Sequence, residues 1–196
     1  MTKKLSPYGL WHSPITPSLL GRKIRLDDVQ WARDGKTLIW VEGRSGHGVL
    51  VAKTGDAAAR DLTGDVPVKP TLGYGGGEFN AGANRAVFAS KGRLYEIPLE
   101  KGLPRPITPA FGELASPVIS PDNRRVLYIH SYEGQDALVL AALNGKKFPQ
   151  KVAQGADFYM QPLWHPSGKK AAWVEWDHPQ MPWDGTRLML SDFETE

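Results

Sequence analysis

The chain has 196 residues, 41% of them hydrophobic and 23% charged, with a formal net charge of +3 at pH 7. That is enough apolar chain for a packed core and too little positive charge to make nucleic acid the expected partner. The absence of cysteine excludes a disulfide framework and thiolate metal sites, and no segment approaches the roughly 20 apolar residues of a membrane span.

The opening, MTKKLSPYGLWHSPITPSLL, has a basic pair but no apolar run of signal-peptide length, and Pro7, Pro14 and Pro17 interrupt it. A cytoplasmic protein is expected, with one amino-terminal strand near residues 8–16. Beyond it a strand-turn-strand signature recurs, as VQWARDGKTLIWVEG from Val29, EFNAGANRAVFAS from Glu78, PVISPDNRRVLYIHS from Pro117 and PLWHPSGKKAAWVEW from Pro162. The apolar pattern has period two, and Gly, Pro, Asn and Asp punctuate it every few residues, which excludes helical repeats. The turns centre on Asp34-Gly35, Ala83-Asn84, Asp122-Asn123 and Ser167-Gly168. Their spacing of about 40 to 48 residues is that of propeller blades.

Each repeat has room for a third strand (Val49 to Lys53, Arg93 to Pro98, Ala137 to Leu143, Arg187 to Asp192). The first three also have a fourth (Arg60 to Leu62, Pro104 to Ile107, Gln150 to Val152). The predicted fold is an all-β propeller of four-stranded antiparallel blades, TolB-like or WD40-like, with blades near residues 24–63, 72–108, 115–153 and 158–196. Four blades, the last without a fourth strand, sit near the lower limit for ring closure, so an incomplete propeller is expected. Its open ends would expose apolar blade surface, which implies a continuation, a partner or an oligomer covering it.

Links from first to second strand are short and interchangeable. Those from second to third strand and between repeats are expected to be longer, individual and gathered on one rim, including residues 42–48, 64–77, 109–115, 132–136, 155–159 and 177–185. Long aromatic loops on one rim are where binding resides. Five stretches then carry a family resemblance: YGLWHSPIT at Tyr8, WVEGR at Trp40, GYGGGEF at Gly73, GADFY at Gly155 and WDHPQMPWDGTRL at Trp176. In this order they resemble the amino-terminal propeller of the prolyl oligopeptidase (S9) family of serine peptidases, most of all its acylaminoacyl-peptidase and dipeptidyl-aminopeptidase-like branch. The resemblance implies a partner α/β-hydrolase domain bearing a Ser, Asp and His triad. It also implies peptide substrates that the propeller screens by size. The repeat alone supports an alternative equally, a stand-alone TolB-like or WD40-like interaction module.

No catalytic residue is assigned. A hydrolase serine needs a Gly-x-Ser-x-Gly elbow between strand and helix. The nearest run, Gly43-Arg44-Ser45-Gly46-His47, has histidine in place of the second glycine and lies between strands. The substrate-facing or domain-interface candidates are Glu42, Arg44, Glu78, His178, Trp183 and Asp184. Glu42 and Glu78 are candidates to offer a carboxylate to a substrate amine, against the plainer expectation that Glu42 pairs with Arg44 and Glu78 begins a strand. Trp183 and Asp184 lie in the longest link between a second and a third strand, either presented outward or bracing the Gly185-Thr186 turn. Trp31, Trp40, Trp164, Trp173 and Trp176 are expected in packing. His165 and His178 fall on opposite rims, so no metal site is expected, and Gly75-Gly76-Gly77, with no helix after it, suggests no phosphate site. No cofactor is implied.

Overall fold

The structure is a computed structural model, and it describes residues 7–9, 13–16, 24–73 and 77–193. Fifteen strands form four antiparallel sheets in chain order. Blade 1 contains β1 (Arg25–Trp31), β2 (Thr37–Arg44), β3 (His47–Thr54) and β4 (Arg60–Asp61). Blade 2 contains β5 (Phe79–Ala81), β6 (Arg85–Ser90), β7 (Arg93–Pro98) and β8 (Arg105–Pro106). Blade 3 contains β9 (Glu113–Ile119), β10 (Arg125–Tyr132), β11 (Gln135–Ala142) and β12 (Gln150–Gln154). Blade 4 has three strands, β13 (Phe158–Trp164), β14 (Lys170–Trp176) and β15 (Arg187–Asp192). No helix occurs among the described residues, and none is long and apolar enough to cross a membrane. The sheets make four blades of an unclosed propeller.

Burial explains the strand patterns. The middle blades are covered on both faces, so β6 and β10 are buried at consecutive positions, whereas β2 alternates buried and half-buried residues. Blades 1 and 2 enclose Ile39, Leu50, Phe79, Phe88 and Ile97, and blades 2 and 3 enclose Leu94, Leu114, Ile119, Val126 and Tyr128. Blades 3 and 4 close over Leu127, Ile129, Leu138, Tyr159 and Trp173. Each large apolar side chain so buried contributes about 1.5–3 kcal/mol. Among the described residues the two end faces lack a neighbour. Trp31, expected in packing, is therefore 63% exposed, beside Leu26 and Val29, and Leu188 and Leu190 are exposed on blade 4.

Two of the links from second to third strand, those expected at residues 42–48 and 132–136, are shorter than the sequence suggested, and all three hairpins of blades 1 to 3 are tight. Ser45-Gly46, Lys91-Gly92 and Glu133-Gly134 are two-residue turns with φ of 49° and 83°, 49° and 71°, and 53° and 74°. Positive φ at both central positions matches the right-handed twist of the flanking strands, so the hairpins close tightly. Pairing accordingly continues to Arg44 with His47 and to Tyr132 with Gln135. Only blade 4 keeps a long link, residues 177–186. Within the amino-terminal stretch, the described residues 7–9 and 13–16 contain a turn and no strand, and residues 10–12 lie outside the described set.

The link between blades 1 and 2 acts as a strap across one rim. The Val68 N–H donates to the Gly48 carbonyl (2.8 Å), Lys69 N–H to Ala89 (2.9 Å) and Thr71 N–H to Leu114 (3.2 Å), and the Gly77 carbonyl accepts from Ser116 N–H (3.0 Å). This crossing demands glycine at 48, where an added Cβ would collide with the Val68 carbonyl oxygen. The Gly75-Gly76 part of the glycine run lies outside the described residues.

Candidate functional site

Strand polarity puts the strap, the three tight hairpins, residues 155–157 and the 177–186 loop on one rim. Between blades 3 and 4 this rim opens into a cleft of about 290 Å³ lined by Leu72, Gly73, Ser131, Asp136, Asp157, Phe158 and His178. A second cavity of about 400 Å³ shares Asp136 and Asp157 and adds Gln135, Lys151 and Gln154. The floor is aromatic, because Phe158 stacks on the buried Trp176 at 5.0 Å between centroids and meets the His178 ring at 4.8 Å.

His178 is placed from blade 4 onto the link that precedes it. Its backbone N–H donates to Asp157 Oδ2 at 2.8 Å, and its Nδ1 lies 3.0 Å from the same oxygen. In turn the Asp157 N–H donates to Asp177 Oδ1 (3.1 Å), and Asp177 Oδ2 pairs with Arg187 Nη1 (2.7 Å). Arg187 also reaches Glu175, whose other oxygen accepts from Trp173 Nε1 at 2.9 Å. The backbone and side-chain bonds from His178 hold the Asp157 carboxyl below its ordinary range, and Arg187 does the same for Asp177. Burial pushes the Asp136 carboxyl up, with the Glu113 and Asp157 charges adding to it and a Ser131 hydrogen bond opposing. The cleft thus offers carboxylates over an aromatic floor, a setting for a cationic group. No cluster of potential metal ligands occurs among the described residues.

The other sequence candidates fall elsewhere. Glu42 Oε1 accepts from Trp40 Nε1 at 2.8 Å, and Oε2 pairs with Arg44 at 2.6 Å. Arg44 also holds Asp61 with two bonds of 2.7 and 2.9 Å. The same Trp-x-Glu-to-Arg arrangement recurs in blade 4 as Trp173, Glu175 and Arg187, which marks Glu42 and Arg44 as a brace belonging to the repeat. Glu78 differs. It precedes β5, its Oε2 is buried with no hydrogen-bond partner among the described residues, and its carboxyl is pushed up by burial and then by Asp27 and Asp28. Asp28 sits on a bulge in β1 with φ of 28°. Trp183 is 73% exposed, and Asp184 uses its backbone N–H, donating to the Met181 carbonyl at 2.9 Å. Its carboxylate makes no hydrogen bond among the described residues, so the side chain does not brace the turn.

The Ser45 run is a hairpin turn, with His47 Nδ1 3.0 Å from the Ser45 carbonyl oxygen. His165 bonds Ser167 on the opposite rim, away from His178. Sequence reasoning missed Asp157 and Asp136, since the partner of His178 lies 21 residues away across a blade boundary. It also missed an aromatic cup of about 400 Å³ between blades 2 and 3 that contains Phe111, Tyr128, His130, Tyr132 and Phe148. There the Phe111 ring meets His130 edge-on at 4.7 Å and stacks on Phe148 at 6.2 Å. The aromatic alternation in RVLYIHSY was the available signal, but the Phe111 and Phe148 links gave none.

Comparison with solved structures places this geometry among known proteins. The chain is similar to a puromycin-hydrolyzing peptidase of Mycobacterium tuberculosis, with 27% identity over 98% of this chain and a TM-score of 0.81. It matches a puromycin hydrolase at 28% identity over 95% of its length with a TM-score of 0.80. A putative TolB from Agrobacterium tumefaciens, 18% identical over 85% of this chain and 61% of its own, matches in fold with a TM-score of 0.65. The chain spans about a third of the two peptidases, 34% and 33% of their lengths. No family model and no curated protein matches the sequence. The resemblance to S9 peptidases carried by the ordered motifs is met by these likenesses.

Proposed function

We propose that this chain is the non-catalytic, substrate-gating propeller of an S9-type serine peptidase, docked through its strap-bearing rim on an α/β-hydrolase domain. The parent would cleave short peptides in the manner of acylaminoacyl- or dipeptidyl-peptidases, in the cytoplasm. The observation that carries this reading is identity of 27–28% across nearly the whole chain to peptidases of which it spans only a third. On this rim the exposed Trp183 is free to contact the hydrolase or the substrate path. The acidic cleft at Asp136 and Asp157 and the uncommitted carboxyl of Glu78 suit the amine of a peptide amino terminus. A stand-alone TolB-like interaction module is supported by fold alone.

The test is the reading frame that continues from Glu196, expressed and treated with a serine-directed fluorophosphonate. Labelling of a serine in a downstream Gly-x-Ser-x-Gly elbow supports the proposal. A frame that stops there, or a longer product that resists labelling and hydrolyses no peptide, overturns it.

A further inference from the structure

The face of β10 turned towards blade 2 carries Tyr128, His130 and Tyr132 at alternate positions, while Leu127 and Ile129 on its other face pack into the core shared with blade 4. Beside that row stand Phe111, from the link into β9, and Phe148, from the link into β12, and the five rings line a cup of about 400 Å³. Phe111, Tyr132 and Phe148 keep much of their surface in water, Phe148 most of all at 70% exposure, although each touches another ring. The cleft at Asp157 and His178 opens on the other face of blade 3.

The rings are set before any ligand arrives. His130 Nε2 lies 3.0 Å from the Phe111 carbonyl oxygen, which only accepts, so Nε2 carries the proton and the Phe111 link is pinned to β10. Gly112 presses against the same imidazole, where an added Cβ would meet Nε2 at 2.6 Å. Phe111 then meets His130 and Tyr132 edge-on at 4.7 and 5.6 Å and lies parallel to Phe148 at 6.2 Å, arrangements that the ring quadrupoles favour. Tyr128, the most buried of the five, is only 2% exposed, yet its hydroxyl makes no hydrogen bond among the described residues, and burial alone pushes its pKa up. A buried hydroxyl in that state is costly, and a ligand atom that bonds it removes the cost. A carboxylate, Glu133, and an ammonium, Lys151, both line the cup, so recognition falls to the rings and the hydroxyl rather than to charge of one sign. Apolar walls with few polar groups in this volume suit a small molecule. We propose that the cup binds a small free aromatic molecule, one or two fused planar rings bearing a hydrogen-bond donor, which packs against Phe111 and Phe148 and donates to the Tyr128 hydroxyl.

The experiment follows the amide resonances of the 196-residue chain by two-dimensional NMR during titration with indole and, separately, with 1-methylindole, which keeps the rings and lacks the N–H. Saturable shifts confined to residues 111–112, 128–133 and 148–151 are expected, with indole bound about fivefold more tightly than 1-methylindole, the scale of one hydrogen bond. Tyr128→Phe should bring the two ligands to equal affinity, and because the hydroxyl it removes makes no hydrogen bond, the melting temperature should not fall. Phe148→Ala, which removes the most exposed wall, should weaken both ligands about tenfold. The proposal is overturned if indole gives no saturable shifts at these residues, if 1-methylindole binds the wild type as tightly as indole does, if Tyr128→Phe keeps the preference for indole, or if Phe148→Ala binds like the wild type.

Discussion

A single carboxylate oxygen of Asp157 receives both the backbone N–H and the imidazole Nδ1 of His178, at 2.8 and 3.0 Å, and so ties the first residues of the 177–186 loop to the link between blades 3 and 4. Asp157→Asn weakens both bonds. Amide exchange at His178 and in the following residues should quicken while the blade strands stay protected. The wild-type folded pKa is depressed, so this contribution is present above the ordinary aspartate range and lost as pH falls through the lower folded value. Exchange in the wild type should therefore approach that of Asp157→Asn in acid. Unchanged exchange at neutral pH would show that the loop is held by other contacts.

Glu78 titrates in the opposite sense. Burial and the neighbouring Asp27 and Asp28 raise its folded pKa, so its favourable contribution is full below the unfolded glutamate value and is lost as pH rises through the folded one. Glu78→Gln removes the charge that burial penalises. It should raise the melting temperature by roughly 1–2 °C at pH 7, the size expected for about 0.5 kcal/mol, and change it little near pH 4. Destabilisation at pH 7 would reveal a partner for Oε2.

Gly48 tests the strap. With no room for a Cβ against the Val68 carbonyl, Gly48→Ala must break the Gly48–Val68 bridge or shift the hairpin. The expected cost is about 2 kcal/mol, a fall in melting temperature of roughly 4–8 °C, with proteolytic cleavage appearing in residues 64–73. A variant that melts like the wild type would mean that the strap is not stapled there.

The Ser45 turn offers no base to its hydroxyl, since His47 Nδ1 faces the Ser45 carbonyl oxygen. The purified chain should be inert towards aminoacyl-arylamides and acyl-peptides and should resist a fluorophosphonate probe. Stoichiometric labelling of Ser45 would contradict this.

Blade periodicity was legible because each repeat writes its own alternation and turn residues. Trp40-Val41-Glu42 and Trp173-Val174-Glu175 even repeat one brace. Loop length was misjudged where a serine or glutamate before glycine occupies a positive-φ position that chemistry alone does not announce, as at Ser45 and Glu133. The site was half legible. His178 stood out in a long loop, but Asp157, Asp136 and the Phe111–Phe148 stack are joined only by folding across blades, which local pattern does not encode. Trp31 was misplaced because strand alternation identifies a face without saying whether a neighbouring blade covers it.

The gating role is tested most directly at Trp183, which is too exposed to brace the isolated chain. The measurement is kcat/KM of the longer peptidase proposed as the parent, wild type and Trp183→Ala, for an aminoacyl-arylamide and for a long unstructured peptide, with melting curves alongside. The account predicts an unchanged melting temperature and a shift of about tenfold in the ratio of the two kcat/KM values, the scale of one lost apolar contact of about 1.4 kcal/mol. An unchanged ratio together with an unchanged melting temperature would contradict the placement of the gate on this rim.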